Sequence, residues 1–454
     1  MISRFKEVLP TWQDFKGTLP YQLFFFFLLF SQVYYSYRYL LSYGSTGTSP
    51  TDQNTPLSFQ LPKYFVAGVI YLAIIAVIFL GKGYWGVIKA WFISRRWGII
   101  LTIFLTAYFT LSLVKFHPDI HDFSYQQLVK LVAFMPAALL PLIIAERDRI
   151  LPTLLKVLNL AFVYQVLGFI LVYLIFVTTG HTPAQAYQGS MVRFGGIWDD
   201  PNALGMFILI PLLTYLSLPS KVQEKYRTLI YLATGSAAAM IFLTLSLTAW
   251  SMLALGLLIL FIFRRDSFTV KNIVLVAVIF AALSAGSPYS KNVLEFKAAS
   301  VLARVGIHYQ VGGGGGENFS EYIRSGQVAD ALKVQLGDVI ANFNHSSIPH
   351  KVVLALFGPS PRPIFDESFY LLTLLNYGLI GLGALITLFL LTFRQAWLML
   401  RSRSEELRSL GLAAFLITVA VGFGLSALPY LAIFPVGTYL LLVLVLTVAN
   451  GERG

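Results

Sequence analysis

Cysteine is absent from all 454 residues, which excludes disulfides, thiol nucleophiles and thiolate-bound metals. Charge is nearly as scarce. Asp, Glu, Lys and Arg make up only 12% of the chain, against roughly a quarter of a soluble domain. A glycine-rich loop closed by Lys-Ser/Thr is missing, and with it the usual nucleotide-phosphate cradle. No His-Glu-x-x-His spacing of a zinc-binding helix occurs either. Arg4 and Lys6 precede an apolar run that starts at Tyr21 and is too long for the core of a cleavable signal, so none is expected.

What fills the chain instead is apolar: 57% hydrophobic and 15% aromatic residues, which defines a polytopic membrane protein. Backbone inside a bilayer must satisfy its own hydrogen bonds, and these runs lack the alternation of a barrel strand. The fold class is therefore an all-α helical bundle. Hydropathy predicts about twelve spans, near 21–43, 62–81, 97–114, 127–145, 157–178, 202–218, 228–247, 249–263, 271–287, 367–392, 410–428 and 432–449. This divides the chain into nine spans over 1–287, a large polar loop over 288–366, and three spans over 367–454.

A net charge of +12 does not point to nucleic acid, because of where the charge lies. The short loops on the side of the N-terminus hold 21 Lys and Arg, and those on the other side hold two, Lys115 and Arg193. By the positive-inside rule both termini are cytoplasmic and 288–366 is outside.

Loops as long as 288–366 are functional or disordered, and this one is patterned. Between Ser325 and Phe343, Val328, Leu332, Leu336, Val339, Ile340 and Phe343 recur at helical spacing, which predicts an amphipathic helix lying on the membrane or over a cavity. The loop ends in Pro359, Pro361 and Pro363, then Asp366 and Glu367, immediately before the chain returns to the membrane. Its five glycines, Gly312 to Gly316, read as a hinge. His308, His345 and His350 are candidate bases, although solvation alone accounts for histidines in a polar loop.

Two other outer loops carry chemistry-bearing residues. His117, Asp119, His121 and Asp122 lie close together, but match no metal-ligand spacing and read as a solvated turn, so no metal is expected. Lys130, one turn into the fourth span, can snorkel to the interface. The third outer loop carries Arg193, Phe194, Gly195, Gly196 and Trp198, then Asp199, Asp200, Pro201 and Asn202 opening a helix. Arginine offers a planar fork of donors to phosphate, paired glycines admit close backbone approach, and a helix start presents free N–H groups to an anion. The alternative is that Asp200 caps the helix and Arg193 reaches lipid headgroups.

The run Arg-Phe-Gly-Gly-Ile-Trp-Asp-Asp-Pro-Asn-Ala-Leu-Gly from Arg193 resembles the corresponding stretch of the O-antigen polymerase and O-antigen ligase superfamily of bacterial envelope glycosyltransferases. A second stretch, Glu-Ser-Phe-Tyr-Leu-Leu-Thr-Leu-Leu-Asn-Tyr-Gly-Leu-Ile-Gly-Leu from Glu367, is similar to the helix that follows that family's large outer loop. The resemblance covers about residues 150 to 400. It implies a membrane glycosyltransferase of fold class C in the bacterial inner membrane, with its active site on the outer face and a polyprenyl-diphosphate-linked oligosaccharide as donor. Arg193 would then grip the diphosphate, with Trp198, Asp200 and Asn202 beside it.

The chain departs from the family at Leu245–Ala249, where many members carry a Ser-Arg pair. Arg304, Arg324 and Arg362 of the large loop are the candidates to supply that second charge. Ligases of the family place a histidine shortly before the returning helix, where this chain has Asp366 and Glu367. That difference favours a polymerase.

The expected reaction is polymerisation of lipid-linked repeat units, with Glu367 or Asp366 as general base, without cofactor or metal. A flippase and a chain-length regulator are its natural partners, and nucleic acid is not one. Ligase-type transfer of a finished glycan is the alternative within the family. A transporter or lipid flippase is the alternative from another class, although internal repeats and intramembrane charges along a pathway are missing.

The charge bias generates a direct test of orientation. In intact cells, Ser320→Cys should react with an impermeant thiol reagent and Ser404→Cys should not. Labelling only at position 404 would invert the topology.

Overall fold

The segment PNALGMFILIPLLTYLS has no charged residue and is apolar on every side. Such a helix is stable only when surrounded. In the computed structural model, which describes residues 7–19, 21–26, 28–29, 147–179, 185–188, 191–198, 201–285, 337, 340–341, 343–358 and 369–426, it is the central helix. Fifteen of its 17 residues are buried.

The elements around it, in chain order, are a 3-10 turn Trp12–Phe15, α1 Arg147–Thr179, strands β1 Gln185–Gln188 and β2 Met191–Phe194, and a 3-10 turn Gly196–Trp198. Then come the central helix α2 Pro201–Ser217, α3 Ser220–Lys225, α4 Arg227–Leu243, α5 Leu247–Phe263 and α6 Ser267–Ala285. After the large loop follow α7 Ile348–Phe357, α8 Phe369–Leu400 and α9 Glu405–Gly424. Among the described residues, four helical stretches are long and apolar enough to cross a membrane: Pro152–Thr178, Ser267–Ala285, Gly378–Leu400 and Glu405–Gly424. Helices α2, α4 and α5 are apolar but shorter. The expected spans near 62–81, 97–114, 127–145 and 432–449 lie outside the described residues, and of the span near 21–43 only residues 21–26 and 28–29 are described, as helix.

In an apolar solvent helices gain little from hydrophobic burial, so close backbone approach and van der Waals packing hold them together. Small residues mark the closest approaches. Gly205 of α2 faces Ala249 of α5, and Gly256 of α5 faces Leu213 of α2. In the α8–α9 hairpin, Gly411 lies against Ala396 and Met399. The outward faces stay apolar: Leu167, Ile170, Leu171 and Leu174 on α1, Val270, Val274 and Val278 on α6, and Ile386, Leu390 and Phe393 on α8 are exposed at helical spacing. Stripes of this size suit lipid rather than water.

Charge collects at one end of the bundle. Lys225 pairs with Glu7 at 2.7 Å, and Lys156 with Asp14 at 2.7 Å. Asn159 Nδ2 donates to the Val8 carbonyl at 2.8 Å, Tyr21 Oη donates to the Asp14 carbonyl at 2.9 Å, and Arg149 donates to the Lys16 carbonyl. Residues 7–19 are thereby strapped across the start of α1. Partial burial raises the Asp14 pKa, but hydrogen bonds from Lys156 and from the Thr11 amide and hydroxyl outweigh it and hold the carboxyl below its ordinary value. Arg264, at the end of α5, donates to the Leu218 carbonyl at 2.6 Å, to Ser220 Oγ at 2.9 Å and to Asp266 at 3.0 Å. Asp266 in turn accepts from the Thr269 amide in the first turn of α6 at 2.9 Å. Helix ends and their compensating charges thus form one polar layer.

The contact of α2 with α5 can be tested at Gly205. A Cβ there would lie 2.6 Å from Ala249 Cβ. Alanine gains up to about 1 kcal/mol in helix propensity, but overpacking costs about 1–3 kcal/mol, so Gly205→Ala should lower the thermal midpoint of the detergent-solubilised protein. Adding Ala249→Gly should recover most of that loss. A midpoint unchanged by Gly205→Ala would show that the two helices do not meet there.

Candidate functional site

At the end of the bundle away from the charged layer, the stretch from Met191 to Asn202 is built into the wall of the helices. β1 and β2 pair antiparallel, with Ala186 opposite Arg193 and Gln188 opposite Met191. In sequence, a Gly-Ser pair between two such runs is the signal of a tight hairpin. Gln-Ala-Tyr-Gln-Gly-Ser-Met-Val-Arg-Phe carries this signal in the sequence, yet the segment reads as a plain connector when only hydropathy is followed.

Phe194 anchors the hairpin. It is buried, and Phe169, Tyr173 and Phe176, on one face of α1, meet it edge-on with ring centroids 6.2, 5.6 and 5.1 Å away. Such pairs contribute roughly 0.5–1.5 kcal/mol each beyond their area. Three residues on, Ile197 is also buried and fills the space left by Gly168 of α1. Between these two anchors the chain turns at Gly196, whose φ of 62° and proximity to Leu204 call for glycine. The backbone of Arg193 is thus fixed one residue before a deep aromatic anchor.

α2 begins at Pro201, where the missing proline N–H costs nothing. Asn202 follows and is partly buried. Arg193, Trp198 and Asn202 therefore lie on one short piece of chain at the start of the central helix. Chemically, this piece offers main-chain N–H groups of a helix start and a glycine pair beside an arginine position, a combination suited to an anion.

Leu245–Ala249 opens with a closed turn between α4 and α5. Leu245 has a positive φ of 52°, and Thr244, Leu245 and Ser246 are buried. Ser246 Oγ accepts from the Ala249 amide at 3.3 Å, and Trp250 Nε1 donates to the Ile241 carbonyl at 2.9 Å. Its polar groups serve the turn itself.

The helix that follows the large loop differs from the unbroken span expected near 367–392. Non-helical angles at Gly378, φ 69° and ψ −167°, divide α8. The cause is the end of α7: a Cβ at Gly378 would fall on the carbonyl group of Leu356 and 2.6 Å from the Gly358 amide nitrogen. α7 is an additional helix beyond the one expected over 325–343, and Ser347, Pro349, the run Val-Val-Leu-Ala-Leu-Phe and Gly358 mark its start, body and stop. Tyr370 Oη donates to the Gly422 carbonyl at 2.7 Å and pins the first turn of α8 to the end of α9. Of the amphipathic helix expected over 325–343, residues 337, 340, 341 and 343 are described and are helical. His345 and His350 are exposed.

Asp200, Arg304, Arg324, Arg362, Asp366 and Glu367 lie outside the described residues. So do the cluster from His117 to Asp122, Lys130, His308 and the five-glycine run.

Fold and composition together define a helical membrane protein, with helices apolar enough to span and a hairpin set into one end. Compared with known proteins, the chain matches no family model and no curated sequence.

Gly378 gives the test of this end's construction. Gly378→Ala forces an unfavourable backbone costing about 1–3 kcal/mol and clashes with the α7 backbone, so it should clearly lower the thermal midpoint. Gly383→Ala, where a Cβ meets nothing within 4 Å, should leave the midpoint unchanged or raise it slightly. Equal responses would mean that α7 does not dock at the break.

Proposed function

We propose that this protein polymerises polyprenyl-diphosphate-linked oligosaccharide repeat units into a surface polysaccharide at the outer face of the bacterial inner membrane. The observation that carries the reading is the stretch from Arg193 to Asn202. It holds the residues of the family resemblance, and buried Phe194 and Ile197 clamp it at the start of the central helix. A helix start with a fixed arginine position is chemistry for a diphosphate.

In the proposed reaction a sugar hydroxyl of one lipid-linked unit attacks the anomeric carbon of another. The new bond joins that oxygen to the anomeric carbon, and the bond from the anomeric carbon to the phosphate oxygen breaks. The electron pair leaves with the polyprenyl diphosphate, and the hydroxyl proton passes to Glu367 or Asp366. Arg193 and one of Arg304, Arg324 and Arg362 neutralise the departing charge, while Trp198, Asp200 and Asn202 hold the donor. About twelve spans with the large loop outside complete the proposed architecture, and a flippase and chain-length regulator supply and terminate the reaction.

The test is the character of the Arg193 contact. A planar fork gripping diphosphate loses its bidentate geometry in Arg193→Lys, so this variant should be impaired nearly as severely as Arg193→Ala. One charge-assisted bond to a developing anion is worth about 2–4 kcal/mol, or roughly 30- to 1,000-fold in rate. Polymer length and amount are measured in cells lacking the native copy, with protein levels matched by immunoblot. Full activity of Arg193→Lys would remove the bidentate role, and full activity of Arg193→Ala would remove Arg193 from the site.

A further inference from the structure

The charged end of the bundle contains a cavity of about 440 Å³ that the proposed reaction does not use. It opens between the ends of α5 and α8 and the start of α9, and Phe263, Arg264, Trp397, Arg401, Glu405 and Arg408 line it. Its two walls are chemically opposite. Phe263 and Trp397 meet edge-on with centroids 6.1 Å apart, and both pack on Phe415, forming an apolar aromatic wall. The arginines form the other.

The arginines are not equivalent. Arg264 is committed to Asp266, Ser220 and the Leu218 carbonyl, and is a fixed part of the wall. Glu405 accepts from the Ser220 amide at 3.0 Å. The Arg401 guanidinium carbon sits over the Trp397 ring, 5.0 Å from its centroid, and Arg408 is exposed one turn into α9. Among the described residues, neither Arg401 nor Arg408 has a carboxylate partner. Three arginines against Glu405 and Asp266 leave a single positive charge, which matches a phosphodiester monoanion better than free phosphate. Phe261, Ile262, Leu390 and Phe393 are exposed on α5 and α8, and continue the apolar wall as surface for acyl chains.

We propose that this cavity binds the headgroup of an anionic phospholipid, with Arg401 and Arg408 on the phosphodiester and the aromatic wall along the upper acyl chains. Tryptophan and arginine at a helix end are suited to the headgroup level, and basic pockets between spans recognise such lipids. The site is independent of the polymerase reading, and its readout needs no polymer.

The full-length protein in neutral detergent is offered phosphatidylglycerol and phosphatidylcholine in equal amounts, and retained lipid is counted by native mass spectrometry. One phosphatidylglycerol should be retained in preference, and Arg401→Gln with Arg408→Gln should lower that preference by about 30-fold. Arg408→Gln alone, at an exposed position that does not support the fold, should lower it by about 5-fold. Arg227→Gln, a basic residue outside the cavity, should leave it unchanged. Equal retention of the two lipids, undiminished preference in the variants, or displacement of phosphatidylglycerol by millimolar inorganic phosphate would each overturn the assignment.

Discussion

The structure depends on surrounding one helix. α2 is apolar on all sides, so no face of it distinguishes inside from outside. Its neighbours must be chosen by shape. Gly205 and Gly256 let α2 and α5 approach to backbone distance, and α9 closes the remaining side through residues such as Leu416, Ile417 and Ala420. Hydrophobicity cannot make this selection in a lipid environment, where every neighbour is equally oily. The packing of small against large residues does so, and it also explains why the start of α2 is held firmly enough to carry a hairpin.

A second constraint is electrostatic. Loops that would otherwise leave helix ends unsatisfied are closed by ion pairs and side-chain caps at one end: Asp266 on α6, Ser404 on α9, Glu7 and Asp14 on the loops they cross. Exposed pairs such as Lys225–Glu7 add little individually, in the range of about 0–1 kcal/mol. Their value is geometric, because each fixes where a connection lies. Residues 7–19, otherwise a polar segment, become a strap across α1 and α3 in this way.

Much of the bundle was legible from hydropathy alone. The expected spans near 202–218 and 249–263 agree with Pro201–Ser217 and Leu247–Phe263 within two residues, since apolar composition and helical structure end together there. Agreement fails where charge enters a helix. α1 begins at Arg147 rather than near 157, because Arg149 and Lys156 find partners in the N-terminal strap that a window average cannot see. α9 begins at Glu405 rather than near 410, since acidic residues are favoured in a first turn after a serine cap. The break at Gly378 was hidden for another reason. Leu-Asn-Tyr-Gly-Leu-Ile-Gly-Leu-Gly contains three glycines, at 378, 381 and 383, and only the backbone of a distant helix decides which one turns. At the candidate site, the start of α2 is visible as Asp-Pro-Asn, whereas the strands beside it are four residues each and partly polar, too short to leave a mark in a hydropathy profile.

The two ends therefore do different electrostatic work. At the charged end, Arg149 and Arg264 are committed to carbonyl and carboxylate acceptors, whereas Arg401 and Arg408 have no carboxylate partner among the described residues. At the other end Arg193 is the one basic residue of its short loop, and Asp199 and Asp200 follow it before the central helix. The aromatic anchor of the hairpin, Phe194 against Phe169, Tyr173 and Phe176, fixes the backbone of that arginine position beside the start of the central helix, so rigidity there comes from ring packing rather than from ion pairs.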